Sequence, residues 1–121
     1  MQLRVISPES NKKFTELKIG DLILCEDLKY YPIKSILLTA GVCRFYRLSN
    51  NVCFHLSERA KIKTEKGFKI PELYDIIVLV GSDVTPQITV VEKSKYVLFC
   101  HDILIEGNIV SPEGIVFRYS D

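Results

Sequence analysis

The histidine and serine in the sequence C-F-H-L-S-E-R-A, positions 53–60, are the side chains of this chain most suited to chemistry. His55 and Ser57 are two residues apart, and residues two apart in a β-strand point to the same face. With Asp102 or Glu58 to orient the imidazole, they have the composition of a hydrolytic triad. No Gly-x-Ser-x-Gly turn surrounds the serine, which such hydrolases use to expose the nucleophile. We therefore expect His55 and Ser57 to be simple neighbours.

Cysteines around the same strand raise the alternative of a zinc site. Cys53 and His55 share a face, and Cys43, Cys100 or His101 could complete a tetrahedral set. No Cys-x-x-Cys knuckle is present, and the adjacent Cys100 and His101 would point to opposite faces of a strand. We predict no metal and no cofactor, and we expect all four cysteines of the chain to be reduced thiols packed in apolar surroundings.

Positive side chains alternate in R-A-K-I-K (59–63), and a second basic stretch, R-F-Y-R (44–47), carries aromatic rings between its arginines. A basic groove with stacking aromatics binds single-stranded nucleic acid without sequence preference. Alternating lysines also protect the edge of a sheet from aggregation. We favour a solvated edge and leave nucleic acid or an acidic protein as alternatives. The binding candidates of this kind are Arg44, Tyr46, Arg59, Lys61 and Lys63.

A pair of tyrosines supplies the remaining binding candidates. Tyr30 and Tyr31 precede Pro32 and follow an acidic turn in a stretch that we predict to be a loop. Aromatic side chains in a loop pack or bind. We expect a contact surface for a protein partner here.

Composition bounds the function further. The chain has 121 residues and a formal net charge of +1, so residues 1–121 should form one domain, and no polyanion or acidic membrane surface is implied. The sequence has no apolar run long enough to cross a bilayer and no apolar core of a secretory signal at its start. We predict a cytoplasmic chain that does not contact a membrane.

The pattern of residues predicts an all-β fold with at most single-turn helices. Short runs of β-branched and aromatic residues alternate with Gly, Pro and Asn turns. The predicted strands are 3–6, 22–25, 33–38, 42–48, 52–56, 61–64, 75–80, 87–91, 96–100, 103–106, 109–110 and 115–119. Ala40-Gly41 and Gly107-Asn108 are predicted turns, the latter suited to positive φ. The predicted single helical turns are 14–17 and 71–74.

Three segments together resemble the Hint domain that hedgehog autoprocessing domains and inteins share. They are LRVISPESNKKFTELKIGDLIL (3–24), HLSERAKIKTEKGFKIPELYDIIVLV (55–80) and HDILIEGNIVS (101–111). An internal echo between FTELKIGDLIL (14–24) and KIPELYDIIVLV (69–80) supports the resemblance, because the Hint fold is a duplicated β-unit about a pseudo-two-fold axis. The resemblance implies a compact all-β Hint-like fold of this kind.

The resemblance also implies where the chemistry should be. Hint domains shift an acyl group onto a side-chain nucleophile, and a histidine in a Thr-x-x-His segment activates the scissile amide. Here that segment reads Ser57-Glu58-Arg59-Ala60, so the histidine is replaced by Ala60. No Cys or Ser nucleophile precedes the first strand, and Glu106 stands near the usual place of the terminal histidine before Asn108. Self-cleavage is therefore not expected.

The sequence thus predicts a catalytically inactive Hint-like module for protein interaction or structure. Short stand-alone Hint-like chains resemble those of bacteriophages and mobile elements, which implies a virion component or a host-directed factor. Two alternatives remain open: an autoprocessing domain with a displaced nucleophile, and a module that binds single-stranded nucleic acid or a small ligand.

Overall fold

The computed structural model describes residues 2–119 of the chain, without the side chain of Val97. This part of the chain consists of antiparallel β-strands, connecting turns and one 3-10 turn, Phe14–Glu16, which confirms the predicted all-β class. The strands are β1 (Val5–Ile6), β2 (Asn11–Lys12), β3 (Leu22–Leu24), β4 (Tyr30–Pro32), β5 (Ser35–Leu48), β6 (Cys53–Leu56), β7 (Lys61–Thr64), β8 (Gly67–Lys69), β9 (Ile88–Leu104), β10 (Ile109–Val110) and β11 (Val116–Arg118).

The longest feature is a two-stranded ribbon of β5 and β9, to which β6 adds a third strand alongside the second half of β5. The sequence predicted two strands with a turn at Ala40-Gly41 where β5 is continuous, so that turn is wrong. Gly41 has a φ of 139°, and the register shifts between Thr39 and Gly41. The glycine therefore forms a bulge that bends one strand instead of ending it.

β9 likewise joins three strands that the sequence predicted separately, 87–91, 96–100 and 103–106. The predicted breaks fell on polar residues such as Lys93 and Ser94. These residues pair with Arg44 and Cys43 of β5, so the polarity of the break reflects strand residues outside the core.

A second sheet holds the site described below, with strand order β10-β11-β7-β8. β11 lies inside it, and Phe117 is opposite both Ile109 of β10 and Ile62 of β7. Phe117 is fully buried and packs edge-on against Phe14, with ring centroids 6.2 Å apart. The 3-10 turn is thereby fixed to the central strand of the sheet.

Two hairpins, β1–β2 and β3–β4, complete the fold. Tyr30 and Tyr31 were predicted in a loop, but they belong to β4, opposite Leu24 and Ile23. The loop prediction was wrong because a strand of three residues has too few side chains to show a clear alternation, so only its pairing with β3 identifies it. Pro32 ends β4 and lacks a backbone N–H, which protects an edge strand from further pairing.

The stretch 71–80 differs from its prediction. No helix forms at 71–74, because Tyr74 has a φ of 72° and Asp75 accepts a hydrogen bond from the Glu72 N–H at 2.8 Å. Residues 75–80 contribute isolated bridges instead of the predicted strand. Among residues 2–119, no helix has both the length and the apolar character that a bilayer span requires.

Candidate functional site

The described ends of the chain converge on the turn Ser57-Glu58-Arg59-Ala60. At the N-terminal side, Gln2 forms a parallel bridge with His55, just before this turn. At the C-terminal side, the antiparallel register pairs Arg118 with Lys61. Continued by one residue, the same register places Tyr119 beside Ala60. The turn therefore lies between the two ends, where the resemblance implies that a self-processing centre should be.

The Gln2 side chain fixes the N-terminal segment to β9. Its amide nitrogen donates to the Leu98 carbonyl at 2.5 Å, and its amide oxygen accepts from the Cys100 N–H at 3.3 Å. The amide thereby mimics one more residue of a β-ladder. No local pattern in the sequence indicates this contact, because its partners are backbone groups 96 and 98 residues away.

Hydrogen bonds of Ser57 hold the turn in place. The Ser57 hydroxyl donates to the His101 carbonyl of β9 at 3.1 Å and accepts from the Arg59 N–H at 3.1 Å. The Ala60 N–H donates to the Ser57 carbonyl at 3.1 Å. Ser57 is 1% exposed and Ala60 0%. The serine is thus a structural bridge between the turn and β9, and the alanine methyl is enclosed by the core.

Neither histidine places its ring against the Ser57 hydroxyl. The His55 Nε2 lies 3.2 Å from the Ser94 hydroxyl, and its ring packs between Phe45 and Tyr96, with centroids at 5.1 and 4.7 Å. His101 meets Ser57 through its carbonyl, while its ring packs edge-on against Phe99. The contacts of both rings therefore differ from those of a hydrolytic triad.

The buried thiols are poor nucleophiles. Burial raises the pKa of Cys25 and of Cys100 to about 12, and it also raises the pKa of Cys43. A thiol of this kind stays protonated near neutral pH, and the thiolate is the reactive species. Cys53 is partly exposed, and its sulfur accepts from the Arg47 Nε at 3.4 Å. Within residues 2–119, no three His, Cys, Asp or Glu side chains are grouped as metal ligands.

Tyr119 closes the C-terminal side of the site. It is 5% exposed, and burial together with the neighbouring Cys100 raises its pKa well above the usual value. Just outside, Arg59 and Asp102 form an ion pair at 3.7 Å with both side chains about half exposed. Tyr119 was missed from the sequence, where it appeared only as the end of an apolar strand.

Asn108 makes its contacts away from Ser57. Its side-chain nitrogen donates to the Glu26 carboxylate at 3.3 Å, and its carbonyl accepts from the Glu26 N–H at 2.8 Å. Glu106, near the position that the resemblance gives to a histidine, pairs with Lys34 at 3.5 Å. The expectation that no nucleophile precedes the first strand concerns Met1, which lies outside the described residues.

The loop beside Asn108 corrects one turn prediction. Gly107 does not have the positive φ expected from Gly107-Asn108. The glycine is needed for space, since a Cβ atom there would lie 2.7 Å from the Cys25 side chain and 3.1 Å from Tyr31.

One binding candidate, Tyr46, is contradicted by its burial. Tyr46 is 0% exposed, and burial raises its pKa to about 12, so its ring belongs to the core and cannot stack on a ligand. Arg44, two positions before Tyr46 and on the same face of β5, is partly buried opposite Leu56 and Lys93. Phe45 takes the opposite face and contacts His55. The alternation of the strand separates the predicted basic and aromatic stretch into two faces.

Acidic neighbours reduce the charge of the predicted basic stripe. Arg59 pairs with Asp102, and the Lys63 ammonium contacts the Glu26 carboxylate. Lys61 lies opposite Arg118, whose guanidinium stacks on Phe68 at 4.2 Å from the ring centroid. Arg59 and Lys63 are therefore already paired with carboxylates within the chain.

The last pair of candidates, Tyr30 and Tyr31, lies on opposite faces of β4. Tyr30 is 41% exposed and shares the outer face of the hairpin with Leu22 and Pro32. Tyr31 faces inward, and its hydroxyl donates to the Asp27 carboxylate, which raises the pKa of the tyrosine. Only Tyr30 therefore offers its ring as a contact surface.

The fold matches that of inteins. The chain is similar to the gp41-1 intein, with a TM-score of 0.79 and 15% identity over 98% of this chain and 94% of that one. It is similar to the MchDnaB-1 intein (N145AA), with a TM-score of 0.75 and 16% identity over 98% and 96% of the two chains. A DnaB intein from Synechocystis sp. PCC 6803 gives a TM-score of 0.67 and 14% identity over 98% and 95%.

Comparison of the sequence with protein-family models and with curated proteins finds no match. The similarity to solved structures is nevertheless nearly complete in length, and it confirms the resemblance at the level of the fold. This chain has the Hint fold of intein splicing domains.

Proposed function

We propose that this chain is a Hint-fold domain without self-processing activity that acts as a protein-interaction or structural module. The observation that carries the proposal is Ala60, whose buried methyl group lies between the two described ends of the chain. Activating a scissile amide there requires a group that transfers a proton. A methyl group has no proton to transfer.

Other side chains near Ala60 do not supply the missing chemistry. The Ser57 hydroxyl has hydrogen bonds to the His101 carbonyl and from the Arg59 N–H, and the Cys100 thiol has a pKa of about 12. An autoprocessing reaction that uses a displaced nucleophile would need an activated hydroxyl or a thiolate. The Ser57 hydroxyl has no activating base among its hydrogen-bond partners, and the Cys100 thiol stays protonated near neutral pH.

The rest of the fold supports a role as a binding module. The outer face of the β3–β4 hairpin exposes Leu22 at 43% and Tyr30 at 41%, next to Pro32. Apolar and aromatic side chains grouped on a surface are typical of protein contacts. Under this proposal, the module serves as a virion component or a host-directed factor, the two settings that the resemblance implies.

The experiment on self-processing joins a reporter domain to each end of the chain and measures the mass of the denatured polypeptide after incubation with and without a small thiol. We expect one full-length mass under both conditions. A thiol-dependent fragment with the mass of one reporter would contradict the proposal. The Ser57→Ala fusion is the matched control, because cleavage by this site would disappear there, whereas adventitious proteolysis would persist.

The experiment on binding compares pull-downs from the native host with the wild-type chain and with Tyr30→Ser. Tyr30 is exposed on a short hairpin, so its replacement should leave the thermal unfolding midpoint almost unchanged. Loss of the captured partner from this variant would support the hairpin face as the contact. Salt-sensitive capture of single-stranded nucleic acid would favour the alternative binder.

A further inference from the structure

The turn 70–75, which connects β8 to the bridged stretch, displays large apolar side chains. Tyr74 is 65% exposed, Leu73 47% and Ile70 37%, and the acidic Glu72 lies among them. Large apolar side chains on one short turn gain free energy when a partner removes them from water, and an exposed aromatic ring among them resembles the anchors of protein interfaces. The turn is therefore a candidate contact surface separate from the β3–β4 hairpin.

The turn is also rigid and strained. Tyr74 has a φ of 72°, a left-handed conformation that is unfavourable for a bulky residue. Its N–H donates to the Ile88 carbonyl at 2.8 Å, and its carbonyl accepts from the Gln87 side chain at 3.1 Å. Asp75 fastens the turn further through the Glu72 N–H and the Lys69 ammonium. The backbone is thus held in a costly shape that points Tyr74 into solvent.

A cavity elsewhere on the chain has the complementary chemistry. It has a volume of about 380 Å³ and lies beside the N-terminal segment and the 3-10 turn. Apolar side chains, Phe14, Tyr96 and Leu98, line it together with Arg4 and Lys13. Both cations are exposed, and neither has an acidic partner within ion-pair distance among residues 2–119.

We propose that the turn 70–75 of one copy of this chain docks into this cavity of a second copy. Tyr74 and Leu73 then cover the apolar wall, and Glu72 approaches Arg4. Because the turn and the cavity are different surfaces, the contact is heterologous, and it can form open assemblies as well as closed ones. The formal net charge of +1 gives little long-range repulsion between copies. So small a contact should associate weakly.

This inference names a partner for the proposed binding module and so rests on that function, but the two fail in different ways. Cleavage changes the mass of the denatured polypeptide, whereas self-association changes only the mass in native buffer. Sedimentation equilibrium of the wild-type chain over a concentration series, at low salt, therefore tests it separately. We expect the average mass to rise with concentration.

Charge exchange tests the pairing of the two surfaces. Arg4→Glu and Glu72→Arg should each weaken association by about fivefold or more, and the double variant should recover most of the loss. Asp83→Arg, an exposed charge reversal outside the turn, the cavity and the β3–β4 hairpin, is the matched control and should have no such effect. Failure of the double variant to recover would overturn the assignment of the cavity as the docking site.

Tyr74→Asn separates docking from folding. Asparagine tolerates left-handed φ better than tyrosine, so this variant should unfold at the same or a higher temperature than wild type. Its association should nevertheless weaken by about tenfold or more, because the aromatic anchor is gone. Association that survives in Tyr74→Asn overturns the proposal, and so does a wild-type chain that stays monomeric up to its solubility limit.

Discussion

Replacing Ala60 by histidine tests whether the core has closed around the methyl group. Ala60 is 0% exposed and packs in the main apolar cluster, so an imidazole must displace its neighbours. Overpacking of this kind costs about 1–3 kcal/mol. A buried ring nitrogen without a hydrogen-bond partner costs about 1–3 kcal/mol more. We therefore expect Ala60→His to lower the free energy of unfolding by about 2–6 kcal/mol.

Urea unfolding measures this loss through the shift of the midpoint at constant slope. Lys29→His is the control, since Lys29 is exposed and surface substitutions usually change stability by less than about 0.5 kcal/mol. A loss below about 1 kcal/mol in Ala60→His would mean that an imidazole fits beside Ser57 without repacking. The inference that this core is built around alanine would then be refuted. The same substitution in the reporter fusion should produce no thiol-dependent fragment.

Three further predictions concern other parts of the chain. Gly107→Ala should destabilise the fold by about 1–3 kcal/mol in urea unfolding, because its Cβ would meet the Cys25 side chain at 2.7 Å; an unchanged midpoint would contradict the close approach. Burial raises the pKa of Asp75, but hydrogen bonds from the Glu72 N–H and Lys69 outweigh it and leave the pKa below its usual value. The stability that Asp75 contributes is therefore present above the unfolded-state pKa of about 3.9 and is lost as the pH falls through the lower folded-state pKa. Asp75→Asn should make the free energy of unfolding depend less on pH between about pH 5 and 2. An equal pH dependence in the variant and the wild type would contradict this. Iodoacetamide should label Cys53 first in the native protein and the other three cysteines only on unfolding; equal labelling rates by mass spectrometry would argue against their burial.

The sequence predicted strands well where alternation was clear. In β6, Phe54 and Leu56 are buried while Cys53 and His55 are partly exposed, and this strand was predicted within one residue. Within β5, the prediction that Tyr46 binds a ligand was wrong because it followed from the basic residues beside Tyr46. The face of the strand on which Tyr46 lies was not considered, and that face is buried. Composition identifies a stretch, but only the pairing partner determines which face each side chain takes.

Contacts between distant segments account for most of the remaining differences. The Gly107 position depends on Cys25, and the Tyr74 conformation depends on Ile88, which is far from it along the chain. Local propensity cannot report such contacts. The bulge at Gly41 is similar, since glycine is compatible with both a turn and a bent strand. The site followed from the resemblance, but its lining by Gln2 depended on tertiary structure.

The residues that hold this site together are different from Ala60, on which the proposed loss of activity depends. Ser57 joins the turn to β9, Gln2 joins the N-terminal segment to the same strand, and β11 carries Tyr119 to Ala60. None of these contacts requires an imidazole at position 60. A smaller apolar residue there removes a buried polar ring, whose desolvation would otherwise oppose folding. The proposed loss of the base is therefore compatible with the whole fold, and it would favour the stability of a domain whose proposed role is to bind.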